Sequence, residues 1–255
     1  MLNIALNGAV GRMGQEILTL INAAPSEYQL SFAKSQSLVD SDPSIITTWP
    51  VENMAQVIID FSVPESCLET LDWCLINRVP LVIGTTGFNE SQLQRLQDAA
   101  LQIPVLLSPN MSLSVNIMFK VAALVAKSLA QAEVEIIESH HRYKKDAPSG
   151  TALGLGKAIA AARGVEFSQV AKFERCGVEN QVRKPEEIGF AVVRGGDIIG
   201  KHTALFINDG EELSLTSEIT NRRSFAAGAL LAAKFLFAQP VGFYSMYDVL
   251  GLSSI

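Results

Sequence analysis

The sequence predicts an α/β protein in two parts: a Rossmann-type, doubly wound parallel-sheet domain and a smaller α+β domain with a mixed or antiparallel sheet. Three observations predict this fold class. Short apolar runs alternate with helical patterns as far as about residue 112, a glycine-rich turn follows the first run, and strand-like alternation dominates from residue 189. The length of 255 residues accommodates two domains, which we place at 1–112, joined by the C-terminal segment 224–255, and at 113–223.

The first domain begins with a predicted βαβ unit. An apolar run at 3–7 and a second one at 28–33 flank a helix in which Met13, Ile17, Leu18 and Ile21 recur at helical spacing. Further along, continuous apolar runs predict buried strands at 57–61, 81–83 and 105–107, separated by helices at 64–77 and 91–101. This alternation of strands and helices is typical of a parallel sheet with helices on both faces.

The second domain has a different order of elements. A long apolar helix at 117–130 precedes a strand at 134–140, and a further helix at 151–163 ends at Gly164. From residue 189 we expect antiparallel strands around turns at 194–197 and 208–210. A closing helix at 224–237 is expected to return to the first domain.

Composition excludes several classes of function. Lys and Arg number 20 against 26 Asp and Glu, and this net charge of −6 argues against a nucleic-acid-binding protein. The longest apolar stretch, 225–238, contains Lys234 and is too short to span a bilayer, and the first residues do not form a signal peptide. The three sparse cysteines, Cys67, Cys74 and Cys176, are typical of reduced thiols. We therefore expect a cytoplasmic protein with neither a membrane nor a nucleic-acid partner.

The glycine turn predicts a dinucleotide site. Its spacing is G-x-x-G-x-x-G, from Gly8 to Gly14, between a strand and a helix. Glycines let the backbone approach a pyrophosphate, and a helix N-terminus supplies N–H donors and a positive dipole end. The alternative is a tight turn that binds nothing. The predicted cofactor-binding residues of the turn are Gly8, Ala9, Val10, Gly11, Arg12 and Met13.

Lys34 lies where the dinucleotide fingerprint normally has an acidic residue for the adenosine ribose. No carboxylate occurs between it and Asp40, and a cation here suits a 2′-phosphate. The sequence therefore predicts that NADPH is preferred and that NADH is possible. The alternative is that Lys34 is a solvated surface lysine.

Two further turns follow predicted strands, at the edge where parallel sheets bind ligands. The first can bring hydroxyls and backbone donors to the nicotinamide ribose, and the second carries an Asn side chain suited to a carboxamide. The predicted cofactor-binding residues in these turns are Gly84, Thr85, Thr86, Ser108, Pro109, Asn110 and Met111.

The stretch from His140 to Thr151 is the most informative segment. It begins with two adjacent histidines, and three of the 20 Lys and Arg residues fall within 140–145 although the chain is acidic. Ser149, Gly150 and Thr151 then open a helix, whose N–H groups and hydroxyls predict a carboxylate cradle. Lys144 can supply a counter-charge and a proton. The bland alternative is a solvated basic loop with one buried histidine.

Two neighbouring possibilities carry less weight. On a strand, His140 and His141 point to opposite faces, and no Cys or Asp at ligand spacing completes a metal site, so we predict none. Arg222 is a further candidate cation, whereas His202 is expected to be a packed residue or a support for the site.

Five segments together resemble the 4-hydroxy-tetrahydrodipicolinate reductase (dihydrodipicolinate reductase) family, in order over nearly the whole chain. They are G-A-V-G-R-M-G, V-I-G-T-T-G-F, S-P-N-M-S, E-S-H-H-R-Y-K-K-D-A-P-S-G-T-A and G-D-I-I-G-K-H-T. The H-H-R-x-K-x-D-A-P-S-G-T segment is highly specific. Lys34 stands where many members of the family carry an acidic residue, and Tyr143 stands at a position where members of the family carry other residues.

The resemblance implies a function and a set of roles. It implies NAD(P)H-dependent reduction of 4-hydroxy-tetrahydrodipicolinate in lysine and diaminopimelate biosynthesis. It also implies a homotetramer, in which each chain has a nucleotide-binding domain and a sheet domain that binds substrate and mediates tetramerisation. It assigns acid/base roles to His140 and Lys144, without apportioning the proton between them, and substrate carboxylates to His141, Gly150 and Thr151. The substrate is then a cyclic imine with two carboxylates, and hydride passes across an interdomain cleft.

Two rival functions remain at this point. One is a different two-domain NAD(P) dehydrogenase acting on an amino acid such as aspartate or homoserine, against which the cationic D-A-P-S-G-T segment argues. The other is a non-enzymatic dinucleotide sensor, which needs the glycine turn but no acid/base pair.

Overall fold

A computed structural model describes residues 1–36, 45–177 and 182–254. The chain divides into two compact units. Unit 1 comprises Met1–Leu113 and Arg222–Ser254, and unit 2 comprises Ser114–Asn221.

Unit 1 contains seven strands and five helices among its described residues. In chain order these are β1 (Leu2–Asn7), α1 (Arg12–Ala23), β2 (Tyr28–Lys34), β3 (Ile45–Ile46), β4 (Val57–Asp60), α2 (Pro64–Asn77), β5 (Leu81–Ile83), α3 (Glu90–Ala99) and β6 (Pro104–Leu107), then α7 (Arg223–Phe237), β12 (Gly242–Tyr244) and α8 (Met246–Val249). Pro64 occupies the first turn of α2, and Asn89 and Gln92 form a capping box at the start of α3.

The strands of unit 1 form one parallel sheet in the order β12-β6-β5-β4-β1-β2-β3. From β1 the chain first adds β2 and β3 on one side and then returns to β4 on the other. The strand order therefore reverses between β1 and β4, and in doubly wound sheets ligands bind beyond the carboxyl ends of the strands at such a point.

Both faces of this sheet are buried. Alternate residues such as Ile4, Leu6 and Ile59 pack with α1 and α7 on one face, whereas Ala5 and Ile58 pack with α2 and α3 on the other. Two-sided burial explains why the strands appear in the sequence as continuous apolar runs. Cys67 and Cys74 belong to the second core and are fully buried.

Unit 2 is an α+β unit. Its elements are α4, which begins at the unit boundary (Leu113–Ser128), β7 (Glu133–His140), α5 (Gly150–Ala162), α6 (Phe167–Val170), β8 (Ala171–Lys172), β9 (Ile188–Arg194), β10 (Gly200–Asn208) and β11 (Glu211–Ile219). One face of its sheet packs against α4 and α5 through a core that includes Met118, Leu155, Ile136 and Phe206. The other face exposes Ile137 and Val193, which are 37% and 46% accessible.

The sheet of unit 2 has the order β11-β10-β7-β9-β8, and its mixed pairing, together with the parallel sheet of unit 1, confirms the predicted fold class. One expectation about pairing was wrong. We expected the antiparallel strands on either side of the 194–197 turn to pair with each other; β9 and β10 do run in opposite directions, but β7 lies between them and pairs with both. The connecting loop crosses the end of β7, where Gly195 N donates to His140 O at 3.0 Å.

No helix among the described residues is long and apolar enough to cross a membrane.

Candidate active site

The glycine turn of unit 1 is shaped by close backbone contacts. Gly8 has φ +83°, and a Cβ placed there would lie 2.2 Å from Phe61 O. A Cβ on Gly14, in the first turn of α1, would lie 2.3 Å from Gly8 O. Both contacts are with backbone atoms, so only glycine fits at these two positions without opening the turn.

The amino end of α1 has the properties of an anion site. Gly11 precedes the helix, no side chain in the described part of the chain caps it, and its first turn carries no acidic residue. Val10 and Arg12 are exposed there, whereas Ala9 is buried and Met13 packs against the core. The helix therefore presents its N–H groups and positive dipole end at the switch point of the sheet.

A cavity of about 290 Å³ lies beside this turn. It is lined by the end of β1, by the segments that follow β1, β2 and β4, and by the first turn of α2; the residues are Asn7, Gly8, Val10, Gly11, Ser35, Gln36, Phe61, Ser62, Val63 and Ser66.

A buried polar network, which we call the Asp60 network, supports one wall of this cavity. Asp60 is fully buried at the end of β4 and accepts hydrogen bonds from Asn7 Nδ2 at 2.7 Å and Ser62 Oγ at 2.7 Å. Thr85 Oγ1 donates to the same carboxylate at 2.6 Å and accepts from Ser62 N at 2.8 Å. The Thr85 hydroxyl, which we expected to face a ribose, is therefore engaged inside the protein.

The other residues of the two strand-end turns divide into structural and exposed positions. Gly84 passes so close to the Phe61 ring that a Cβ would lie 2.2 Å from it, and Met111 is a core residue. Thr86 and Pro109 are exposed. Ser108 Oγ donates to the backbone carbonyl of Asn110, whose side chain accepts from Ser112 N.

Lys34 is not a solvated surface lysine, because only 4% of the residue is accessible. Its backbone carbonyl accepts from Gly8 N and Ala9 N, which places the end of β2 directly against the glycine turn. The ammonium lies 3.4 Å from Ser66 Oγ, 3.5 Å from Glu69 Oε2 and over the Trp49 ring.

The cationic stretch of unit 2 lies where β7 ends and α5 begins. His140 is the last residue of β7, and Ser149 is the N-cap of α5, with its hydroxyl accepting from Ala152 N at 3.2 Å. The connection between them carries Lys144, whose Nζ lies 2.8 Å from Asp146 Oδ1, and a cis Ala147–Pro148 bond. The structure thus brings the histidines, Lys144 and the helix N-terminus to one edge of the sheet.

Glu138 lies at the centre of this arrangement and is fully buried. One oxygen meets His140 Nδ1 at 2.6 Å and Arg194 Nη1 at 2.7 Å, and the other accepts from Arg194 Nη2 at 2.7 Å and Ser149 N at 2.9 Å. Burial raises the pKa of Glu138, but these hydrogen bonds outweigh it and hold the pKa below its ordinary value. Glu138 is therefore ionised at neutral pH.

Two histidines of the site are held neutral by their surroundings. Burial lowers the pKa of His140, an effect that Glu138 opposes and that the charges of Lys144 and Arg194 reinforce. Burial and the neighbouring His140 lower the pKa of His202 to about 4. The His202 ring contacts His140 edge to face, and its Nε2 lies 3.0 Å from Ser149 Oγ.

The remaining predicted substrate-binding residues are more accessible than Ser149. His141 follows the strand, is half-buried, and has an Nδ1 without a hydrogen-bond partner among the described residues. A Cβ at Gly150 would meet nothing within 4 Å, so there is space above the first turn of α5. Thr151 is the second residue of that helix.

Among the described residues, no three His, Cys, Asp or Glu side chains are grouped so that they could hold a metal ion.

Sequence reasoning missed Glu138, Arg194 and the Asp60 network, whereas His202 is packed beside His140 and Ser149, in line with the expectation of a packed or supporting residue. Two signals were available. Glu138 shares a strand face with His140 because they are two residues apart, and Asp60 stands at the end of a buried strand, where ligands bind. The pairing of Arg194 with the end of β7 had no local signal, because it depends on the register His140↔Arg194.

The buried state of His202 predicts a pH-dependent stability. Its pKa of about 4 in the folded protein lies below the ordinary 6.5, so the unfolded chain binds the proton first as the pH falls. This contribution is fully present above pH 6.5 and is lost between pH 6.5 and about 4, to a total of about 3 kcal/mol.

We expect urea unfolding from pH 7 to 4 to show a steeper loss of stability for the wild type than for His202→Asn. The low pKa values of Glu138 and Asp146 also cost stability in acid, but both proteins share them. Parallel stability curves for the two proteins would contradict the prediction.

Known proteins match nearly the whole chain. Residues 2–111 match the model of the dihydrodipicolinate reductase N-terminus, and residues 114–250 match that of its C-terminus. The chain is 43% identical over 265 residues to 4-hydroxy-tetrahydrodipicolinate reductase of Thiobacillus denitrificans, covering 98% of each protein.

Solved structures agree with this result. Dipicolinate-bound dihydrodipicolinate reductase from Paenisporosarcina sp. TG-14 is 26% identical with a TM-score of 0.74, covering 97% of this chain and 98% of that one. DAP dehydrogenase of C. glutamicum, solved with DAP, has a TM-score of 0.55 at 12% identity over 97% and 93% of the two chains, a likeness of fold alone.

Proposed function

The chain belongs to the dihydrodipicolinate reductase family, and on that premise we propose that it reduces 4-hydroxy-tetrahydrodipicolinate to tetrahydrodipicolinate with NAD(P)H, in lysine and diaminopimelate biosynthesis. One observation carries the proposal for this chain. Lys144, the adjacent histidines and the uncrowded amino end of α5 lie at one edge of a sheet, around a buried Glu138. This arrangement suits a small ring with two carboxylates.

The residues of unit 1 fit a nicotinamide dinucleotide. The turn at Gly8 and Gly14 leaves no room for a Cβ, α1 begins without a side-chain cap from the described residues, and the adjacent cavity opens at the switch point of the sheet. We propose that Gly8–Met13 hold the pyrophosphate and that the turns after β5 and β6 face the nicotinamide half. When bound, the reduced nicotinamide supplies a hydride.

In unit 2 we assign the substrate carboxylates to His141, Ser149, Gly150 and Thr151. The N–H groups at the start of α5 and the hydroxyl of Thr151 are the types of donor that carboxylates accept from at helix N-termini. Lys144 adds a positive charge close to them. Ser149 works chiefly through the helix, because its hydroxyl already caps α5 and contacts His202.

The proposed reduction requires a group that stabilises negative charge and a source of one proton. Loss of the 4-hydroxyl as water leaves a ring in which a C=C bond is conjugated with C=N. When a C–H bond forms at C4, the electron pairs shift toward the ring nitrogen, and the product then takes up one proton. Preorganised positive groups lower the activation barrier most when they lie where negative charge develops in the transition state, and we assign this role to Lys144.

We assign the proton to Lys144 rather than to His140. Lys144 remains partly accessible, with 22% of its side chain exposed, whereas the side chain of His140 is only 10% exposed and its Nδ1 is engaged by Glu138. His140 then acts as the neutral neighbour that completes the wall of the site.

NADPH is the cofactor that we propose to be preferred, through Lys34. Its position against the glycine turn supports this role, although the ammonium must leave Glu69 to meet a 2′-phosphate. We expect Lys34→Ala to lower kcat/KM for NADPH about tenfold while changing that for NADH little, in line with the loss of one charge-assisted hydrogen bond.

Glu69→Gln is the matched variant for this prediction, since it releases the same ammonium, and it should raise the NADPH preference. Steady-state kinetics with both cofactors measure the two effects. Equal losses for NADPH and NADH in Lys34→Ala would remove Lys34 from cofactor selection.

We further infer a cytoplasmic homotetramer in which unit 2 mediates association. The exposed apolar residues Ile137 and Val193 on the outer face of its sheet support an interface between copies.

The proposed activity is tested by following nicotinamide absorbance with enzymatically generated substrate and each cofactor in turn. We expect oxidation of the reduced cofactor that depends on this substrate. Aspartate and homoserine, with the oxidised cofactors, serve as negative controls for the rival dehydrogenase activities. Turnover of either amino acid without turnover of the cyclic imine would overturn the proposal.

A further inference from the structure

Glu138 is unusual because a single buried carboxylate is shared by three different segments. It lies on β7, and its four hydrogen bonds reach the ring of His140, the side chain of Arg194 on β9 and the backbone N–H of Ser149 at the start of α5. The Arg194 contact is bidentate, with both distances at 2.7 Å, which is the strong fork geometry of guanidinium and carboxylate.

Arg194 extends this connection to the loop that carries Lys144. Its Nη2 also donates to the backbone carbonyl of Asp146 at 2.7 Å, and Asp146 in turn pairs with Lys144. The chain of contacts therefore runs from Glu138 through Arg194 and Asp146 to the Lys144 ammonium. The same carboxylate holds the other side of the site, the amino end of α5, through Ser149 N.

The charge of Glu138 also determines the form of the His140 ring. An ionised carboxylate only accepts hydrogen bonds, so the 2.6 Å contact requires a proton on Nδ1 of His140. Neutral His140 then has no proton on Nε2, the ring atom that packs toward Gly200. A neutral amide at position 138 would not impose this tautomer.

A contribution to stability does not by itself explain why Glu138 and Arg194 form a buried ion pair. A buried ion pair loses hydration on both partners, and replacing it with apolar residues often leaves stability unchanged or improved. The specific consequence of Glu138 is geometric, because it sets the relative positions of a ring, a helix N-terminus and a cationic loop.

We propose that Glu138 and Arg194 are positioning residues of the active site: together they fix the tautomer of His140 and hold the Lys144 loop in register with the carboxylate cradle at α5. Neither residue needs to touch the substrate. The inference rests on the proposed function for its kinetic consequence, but its structural consequence can be measured without substrate.

The kinetic test compares Glu138→Gln with Glu135→Gln. Glu135 lies three residues earlier on the same strand, on the opposite face, and also accepts hydrogen bonds from two arginines, Arg175 and Arg183. We expect Glu138→Gln to lower kcat about 10- to 100-fold, because displacements of about 1 Å at a site have effects of this size, while the affinity for the cofactor stays unchanged. Glu135→Gln should keep the wild-type kcat.

The second measurement is ¹⁵N NMR of the histidine rings, of which the chain has only three. In the wild type, His140 should be the Nδ1–H tautomer. In Glu138→Gln the amide can donate to Nδ1, so the Nε2–H form should appear, and the pKa of His140 should fall because the carboxylate that raises it is gone. The charged and titratable groups facing His140, namely Lys144, Arg194 and His202, remain in the variant.

Arg194→Lys decides the question if Glu138→Gln does not fold. It keeps the charge but loses the bidentate contact and the bond to Asp146, so we expect about a tenfold lower kcat with the His140 tautomer retained. Folded variants with wild-type kcat and an unchanged His140 would overturn the proposal.

The two proposals fail in different ways. If the wild-type protein shows no reductase activity, the proposed function fails, and the NMR comparison still decides whether Glu138 sets the His140 ring. If the wild type is active and Glu138→Gln matches it in both measurements, only the positioning role fails.

Discussion

Replacing Lys144 with Ala is expected to lower kcat about 1,000-fold while changing the affinity for the cofactor less than about twofold. The loss combines a proton donor with a positive charge placed where negative charge develops, and general acid catalysis alone contributes about 10² to 10⁴. The cofactor affinity should be retained because Lys144 lies in unit 2, whereas the glycine turn belongs to unit 1.

Two variants separate the roles of Lys144. Lys144→Arg keeps the charge but is a poor proton donor, so it should bind substrate while remaining slow. Lys145→Ala removes an exposed neighbouring cation and should leave kcat close to that of the wild type. A near-normal kcat for Lys144→Ala would exclude this residue from the chemistry.

Replacing Gly14 with Ala is expected to abolish most cofactor binding. The added Cβ would lie 2.3 Å from Gly8 O and 2.6 Å from Ala9 O, and neither backbone atom can rotate away. Opening the turn should destabilise unit 1 by about 3 kcal/mol. Losing two charge-assisted hydrogen bonds to the pyrophosphate should weaken the binding of NADPH about 100-fold or more.

Gly11→Ala is the matched control for stability. Gly11 has φ −70°, which any residue adopts, and its added Cβ would meet only Gly8 O at 3.2 Å. We expect it to lose less than about 1 kcal/mol in urea unfolding. Calorimetric titration with NADPH measures the affinity, and wild-type stability and affinity in Gly14→Ala would refute the role of the tight turn.

The sequence predicted the parallel sheet well because its signals are local. Strands such as β4 and β5 are buried on both faces, so each appears as a continuous apolar run. By contrast, β3 has only two residues, and β12 has the sequence G-F-Y with no fully buried residue, so neither strand appears as such a run. The pairing of β9 with β10 was mispredicted because β7 lies between them in the sheet, and β7 is distant from both in the sequence.

The arrangement of the candidate site could be predicted from the sequence where its residues are contiguous. His140, Lys144 and Ser149–Thr151 lie within 12 positions, and the strand end and helix start that carry them were both expected. Glu138 and Arg194 are 56 residues apart, and only the register of the sheet brings them together. The burial of Lys34 likewise depends on Ser66 and Glu69 of α2, which no pattern around residue 34 reveals.

If the segment from His140 to Thr151 holds a dicarboxylate, a crystal structure of this protein with dipicolinate should show the ligand there. We expect one carboxylate at the amino end of α5, within hydrogen-bond distance of Gly150 and Thr151, and the ring within reach of Lys144. Dipicolinate bound elsewhere, with this segment unchanged and unoccupied, would show that the segment is not the dicarboxylate site.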